Sequence, residues 1–351
     1  MSDKNLLTPD LEPVPAAAGG AALTGGSLIG SGAPTSAPSL GGRTRPFETA
    51  LQWLFGACAL LSVLTTFGIV FVLIKESVPF FKAVPLTDFL TGREWTPQFE
   101  PQKYGILPLI CGTLLVTAGA AFLSLPLGLL SAIYLSEYAS PRARSILKPA
   151  LELLAGIPSI VYGFFALVFI TPLLQTGAER FTAFWQRFTN NPDFFVEVSY
   201  YNALSASIAI AIMTLPLVSS LCEDALHVVP RALREGAYAL GATKLEVSTK
   251  VVVPAALSGI AASFILAISR SIGETMVVAI AAGSKPTLTL NPLETVQTMT
   301  GYIASISTGD VEYGTVSYQT IFAVGVVLFA ITVAMNCASI ALVKKYRQKY
   351  D

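Results

Sequence analysis

The sequence predicts an all-α integral membrane protein with six transmembrane helices. Three observations carry this. Of 351 residues, 53% are apolar and 13% are charged, about half the charge of a soluble domain, which averages roughly 25%. The mean hydropathy is +0.64. The charges are also segregated, leaving long uncharged runs, and about 20 apolar residues suffice to cross a bilayer as helix.

The runs are Thr49–Ile74, Gly105–Ser136, Leu153–Ala178, Val198–Cys222 and Tyr313–Val343, with a sixth, Val251–Ser284, interrupted only by Arg270 and Glu274. Two of the runs exceed one span, so part of each is expected to tilt or lie at the interface. Pro126 is expected to kink the second, because proline removes a helix hydrogen bond and clashes with the preceding turn. Residues 1–46 differ from the rest. They are rich in Gly, Pro, Ala, Ser and Thr without periodicity, and such a segment cannot bury enough surface to offset chain entropy. They are expected to form a disordered cytoplasmic tail and to make a poor signal peptide, ahead of a transmembrane domain at 47–351 with its core at about 105–343.

Basic residues set the orientation. The N-terminal tail, the second and fourth connections and the C-terminal tail carry fourteen of the 22 Lys and Arg; the three alternate loops carry seven, and Arg270 is intramembrane. Both termini are therefore expected on the cytoplasmic side of a plasma membrane. The alternate loops are long, and long loops are commonly functional or disordered. Their Phe80, Phe81, Trp95, Phe99 and Trp185 would either anchor at the interface or meet a partner, and the interfacial reading is preferred.

Composition excludes several classes. Basic and acidic residues balance at 22 each, so nothing favours a nucleic-acid partner. Four scattered cysteines without a CxxC, and the single His227, offer neither a disulfide framework nor a metal site. No Gly-Lys-Ser/Thr occurs, so the chain has no P-loop for ATP.

The connection at 223–256 carries the most informative text. It reads Glu235-Gly236-Ala237, three residues, Gly241, nine residues, then Val251-Val252-Val253-Pro254. Arg231–Leu240 is expected to form a short amphipathic helix, with Ala237, Leu240, Lys244 and Val247 at helical spacing. Gly241 permits a sharp reversal, and Pro254 starts the next element. Such a hairpin suits docking into a groove on a soluble partner; a structural loop is an equal reading of the same residues. The spacing resembles the EAA motif of type I ABC-importer permeases, E-A-A-x3-G-x9-I-x-L-P. Glu235, Ala237, Gly241 and Pro254 match, Gly236 replaces Ala, and Val251 and Val253 replace Ile and Leu. The resemblance implies that the loop inserts into a separate ATPase subunit.

Arg270 and Glu274 stand at i and i+4, which on a continuous helix places them on one face. Arg270 then lies about 20 Å along the helix from Leu257, where an isolated charge costs at least about 2.5–3.5 kcal/mol. Either the two form a self-neutralising pair, or they face a pathway. Arginine suits an oxyanion, since its planar fork donates two parallel hydrogen bonds and stays charged. A carboxylate beside it would accept from the P–OH of protonated phosphate and repel an anion lacking that proton, such as sulfate.

The segment Ser269–Met276 resembles the corresponding helix of phosphate ABC-importer permeases, as does Leu154–Gly163. Gly105–Leu114 resembles the PstC family among them. The resemblance covers about residues 50–345. It implies the type I ABC-importer permease fold, with Arg270 and Glu274 on a phosphate path, and alternating access driven by ATP in a partner. The implied partners are a second, PstA-like permease, a PstB-like ATPase dimer and an extracytoplasmic PstS-like phosphate-binding protein; the chain itself is expected to bind no cofactor. Ser159 and Tyr162, beside Gly156 and Pro158, are candidates for the same path, since Gly and Pro can break a helix that lines a cavity; a packing kink explains them equally. Glu152 is expected to pair with Lys148 four residues before it. A PstA-like subunit, a permease for another oxyanion, a self-sufficient secondary anion transporter and a non-transporting scaffold are the rival readings.

Overall fold

The computed structural model describes residues 46–309 and 311–346; residues 1–45 of the expected tail lie outside the described residues. The chain divides into two units, Met1–Leu61 and Ser62–Asp351. The described part of the first is the beginning of α1 (Pro46–Ala83), whose side chains there are mostly exposed and apolar. Everything below concerns the second unit.

After α1 come α2 (Leu86–Thr91), α3 (Leu107–Ile133), α4 (Pro141–Ala155), α5 (Ser159–Phe165), α6 (Thr171–Thr189) and α7 (Ala203–His227). They are followed by α8 (Arg231–Ala239), α9 (Lys244–Glu246), α10 (Val253–Ala255), α11 (Leu257–Ile272), α12 (Met276–Ala281), α13 (Met299–Thr308) and α14 (Val316–Tyr346). Wide π turns extend three of them, at Tyr134–Tyr138, Ala166–Ile170 and Val247–Val252. Among the described residues, five helices are long and apolar enough to cross a membrane: Phe47–Ala83, Leu107–Tyr138, Ser159–Thr189, Ala203–His227 and Val316–Ala341. A bent pair, Lys244–Ala255 with Leu257–Ile272 at 73°, makes a sixth when counted as one span.

Five of the six expected spans are thus single helical runs and the remaining one corresponds to the bent pair, with two corrections. α3 contains Pro126 within one helical run, followed by the π turn at its end. The third span starts at Ser159, because Pro158 caps α5 and the preceding residues belong to the amphipathic α4. The fifth is interrupted twice, at Ala256 and again at Gly273–Thr275.

α7 is the centre of the bundle: 61% of its most apolar window is buried. It packs on α3 through small residues, the usual device where lipid supplies no hydrophobic drive between helices. A Cβ on Gly119 would stand 2.6 Å from Ser207 Oγ, and one on Gly128 would stand 2.6 Å from Val218 Cγ1. The Ser207 hydroxyl donates to the carbonyls of Val116 (3.1 Å) and Ala203 (2.7 Å). Gly119→Val should force the two helices apart at a cost of about 1–3 kcal/mol, seen as a lower melting midpoint in detergent; Gly177→Ala, where a Cβ meets nothing within 4 Å, should not.

At one end of the bundle the segment after α1 folds into an aromatic cap. Phe80 meets Phe89 edge-on at 5.3 Å and Tyr104 at 5.5 Å, and Trp95 meets Tyr302 of α13 at 5.0 Å. Phe80 and Trp95 are thus buried core residues, not the interfacial anchors their position in a loop suggests; each edge-to-face pair adds about 0.5–1.5 kcal/mol to its area burial. Phe81 is half-buried and packs against the same cluster, whereas Phe99 and Trp185 are exposed.

Candidate functional site

The second interruption of the fifth span forms the first half of the site. α11 ends at Ile272, Gly273 caps it, and α12 starts at Met276. Glycine weakens a helix by about 1 kcal/mol relative to alanine, and a tertiary contact exploits the weak point: the Thr300 hydroxyl of α13 donates to the Glu274 carbonyl at 2.6 Å. Glu274 Oε1 accepts from the Val277 N–H at 3.4 Å, capping α12. The second carboxylate oxygen has no partner among the described residues.

Arg270 and Glu274 therefore do not share one helix face, and they form no ion pair. Arg270 stands in the last turn of α11 and is exposed, with neither ion pair nor hydrogen bond among the described residues. The neighbouring Ser269 Oγ is buried and has no hydrogen-bond partner among them either. The break thus presents an arginine that nothing described in this subunit neutralises, beside a half-buried carboxylate.

α5 lies against this region. A Cβ on Gly163 would stand 3.1 Å from Ile280 of α12, so the Gly156–Gly163 segment and the broken fifth span are neighbours. Ser159 is half-buried in the first turn of α5. Tyr162 is buried, and its hydroxyl donates to the Leu154 carbonyl at 2.8 Å. That bond bridges the interruption between α4 and α5, adding to the Ile157 N–H that the same carbonyl accepts at 3.3 Å. The Tyr162 hydroxyl thus donates to backbone in this chain. Tyr162→Phe removes one hydrogen bond but leaves the Leu154 carbonyl with a donor, so it should cost about 0.5–1.5 kcal/mol, read as a slightly lower melting midpoint.

The hairpin at 223–256 forms the second half. α8 covers Arg231–Ala239, one residue short of the expected helix. Gly241 adopts φ +83°, and the turn is a Schellman closure: Ala242 N–H donates to the Ala237 carbonyl (3.2 Å) and Gly241 N–H to that of Tyr238 (2.9 Å). Thr243 and Glu246 then form a reciprocal capping box that starts α9. Glu235 and Gly236 are exposed, Ala237 is half-buried against the bundle and Pro254 is exposed in α10. Leu240, expected as the last residue of that helix, caps it instead and is 90% exposed. With Val228 (82%) and Leu245 (64%) it gives the hairpin an apolar outer edge.

Two charged clusters at this end have no counterpart in the expectations. Arg234 reaches Glu137 in the π turn after α3, at 3.1 Å. Glu223 near the end of α7 is fully buried and paired with Arg144 and with Lys148 of α4, the latter at 2.8 Å. Lys148 thus pairs with Glu223 and Asp224 rather than with Glu152. A sequence signal existed: Glu137 and Glu223 are the first charges after the uncharged runs Gly105–Ser136 and Val198–Cys222. Among the described residues no group of His, Cys, Asp and Glu could hold a metal.

The apolar helices and the hairpin between them give the architecture of a multi-pass membrane protein. The chain belongs to the family described as binding-protein-dependent transport system inner membrane component, which matches residues 124–348. It is 33% identical over 287 residues to a probable ABC transporter permease, YqgH, of Bacillus subtilis, covering 81% of this chain and 87% of that one. It is 35% identical over 246 residues to the phosphate transport system permease PstC of Mesorhizobium japonicum (70% and 74%). With a probable PstC of Methanocaldococcus jannaschii it shares 31% over 279 residues (77% and 87%). Among solved structures it resembles a chain of a bacterial alginate ABC transporter in complex with its pentasaccharide-bound periplasmic protein. The TM-score is 0.57 at 15% identity, over 83% of this chain and 94% of that one, a likeness of fold.

Proposed function

We propose that this chain is the PstC-type permease of an ATP-driven phosphate importer, with both termini cytoplasmic. The observation that carries the reading is Arg270, exposed in the last turn of α11 between apolar stretches and unpaired among the described residues. Facing lipid it would cost at least about 2.5–3.5 kcal/mol, so its face meets a polar path or a partner subunit. The guanidinium receives two oxygens of the anion. Glu274, held by its backbone and by one carboxylate oxygen, offers the other to the P–OH of protonated phosphate. The relatives named PstC support phosphate as the substrate.

The path is completed by a second, PstA-like permease. A PstB-like ATPase dimer receives the 223–256 hairpin and supplies ATP hydrolysis, which this chain does not perform. A PstS-like protein delivers phosphate from outside. The apolar outer edge of the hairpin supports docking to a soluble partner. The test is uptake of labelled phosphate, with sulfate as control, in cells lacking their own high-affinity importer and carrying the partner subunits with or without this chain. Phosphate-selective uptake that requires the chain is expected. A complex that assembles and hydrolyses ATP but moves no phosphate would send the search to other oxyanions.

A further inference from the structure

Arg234 lies within the hairpin, yet it is turned away from the exposed edge that Glu235, Leu240 and Leu245 present. Its side chain is 16% exposed and that of Glu137 is 7% exposed. The guanidinium makes four hydrogen bonds. Nε and Nη2 donate to Glu137 Oε1 at 3.2 and 3.1 Å, Nη2 also donates to the Leu226 carbonyl at 2.8 Å, and Nη1 donates to the Val229 carbonyl at 2.6 Å. The Ser136 hydroxyl donates to the same Glu137 oxygen at 3.1 Å.

Each partner has a reason to be there. The last carbonyls of a helix lack intrahelical donors and carry the negative end of its dipole, so the end of α7 attracts a cation. Glu137 sits in a π turn, an insertion often found at functional positions, which closes the second span. One planar fork thus ties α8 to the ends of both α3 and α7. A lysine would hold them less well: an ammonium is a point charge, whereas the rigid fork fixes direction as well as distance. A second link lies alongside, with Lys244 Nζ at 6.0 Å from the Tyr138 ring centroid.

The other limb, from α9 onward, also packs on the bundle, through buried Val247 and Val252 and through that Lys244 contact, but it is tied by no buried ion pair. Between α10 and α11 the chain bends by 73° at Ala256, and the ion pair on that limb, Lys250 with Glu246, is local and exposed. Displacement of α8 therefore has a stiff route into α3 and α7, the closely packed centre of the bundle, and a bent one into α11.

Resting on the importer reading above, we infer that Arg234 is a positioning residue that transmits motion of the ATPase-docked hairpin into the α3–α7 pair through Glu137 and the α7 terminal carbonyls. The residue does not touch the anion or the ATPase edge; it fixes α8 to the spans it must move.

The experiment uses the complete transporter, purified and reconstituted in liposomes with the ATPase and the binding protein. Phosphate moved per ATP hydrolysed is measured for wild type, Arg234→Ala, Arg234→Lys and Glu137→Gln. The ratio should fall about tenfold or more in Arg234→Ala, the scale of losing charge-assisted hydrogen bonds, while hydrolysis continues. Arg234→Lys, which keeps the charge but not the fork, should fall between, and Glu137→Gln should fall less than Arg234→Ala. A ratio depends on intact complexes only, so loss of folded protein does not mimic the effect. If uptake and hydrolysis decline together with the ratio unchanged, Arg234 is merely structural and the inference is overturned. If the wild-type complex hydrolyses ATP but moves no phosphate, the substrate reading fails separately. Stimulation of hydrolysis by the binding protein then decides: lost in Arg234→Ala it supports the link, and kept it overturns it.

Discussion

Arg270→Ala should lower phosphate uptake by about 100-fold or more while the subunit inserts and assembles as well as wild type. The size follows from two charge-assisted hydrogen bonds to the anion, each worth about 1.5–3 kcal/mol, with about 1.4 kcal/mol per factor of ten. The direction of the stability effect separates a path residue from a structural one. A structural arginine in a neutralised pair would leave a partner stranded when removed and would destabilise the protein. Here no partner exists within the described residues and the side chain is exposed, so removal strands no charge and should leave stability nearly unchanged. Uptake by transport assay and melting midpoint of the purified subunit should therefore move independently. A variant that loses both together would assign Arg270 to packing.

The same site predicts the selectivity of Glu274→Gln. The amide can still accept from the Val277 N–H, preserving the cap on α12, and the Thr300 bond to the Glu274 carbonyl is a backbone contact that the change does not touch. On the proposed function, what is lost is a negative charge that would repel a fully deprotonated anion. Discrimination between phosphate and sulfate should weaken by about tenfold or more, since sites built around a specific hydrogen bond reject analogues lacking it strongly. Unchanged discrimination would remove Glu274 from the recognition step.

How much of this was legible in the residues differs by element. The six spans follow from where charge is absent, and Gly241 follows from the turn that an EAA-like hairpin needs; its φ of +83° is a conformation glycine adopts without steric penalty. The geometry of Arg270 and Glu274 was not legible. Their spacing fits a helix face, but Gly273 and a hydrogen bond from Thr300, 26 residues away, end the helix between them. Periodicity carries no information about such a long-range contact. The end of α8 departs by one residue for a more local reason: the Schellman closure at Gly241 makes Leu240 the cap rather than the last helical residue. Phe80 and Trp95 looked like anchors because aromatics beside spans usually are; Tyr302, which packs edge-on against Trp95, lies far along the chain.

Removing both basic partners of Glu223 should give the largest loss of stability of any substitution at the hairpin end. Glu223 is fully buried in α7, and Arg144 and Lys148, both on α4, hold its two carboxylate oxygens. Arg144→Ala or Lys148→Ala alone leaves one cation in place. The double variant leaves a buried carboxylate unpaired, which costs about 3–5 kcal/mol, more than the two single losses combined. Adding Glu223→Gln to the double variant should then recover stability, because the uncompensated charge and not the missing contact is the dominant penalty. The hydrogen-bonding contact with Glu223 raises the Lys148 ammonium above the ordinary lysine range. A raised folded-state value means that its contribution is fully present below the unfolded lysine value, about 10.4, and is lost as pH rises through the folded one. The melting midpoint should accordingly be insensitive to Lys148 titration near neutrality and fall only in strongly alkaline solution. Thermal melts of the four variants in detergent test the order of stabilities: a double variant no worse than the sum of the singles would mean that water reaches Glu223, and the cluster would then be a surface network worth little.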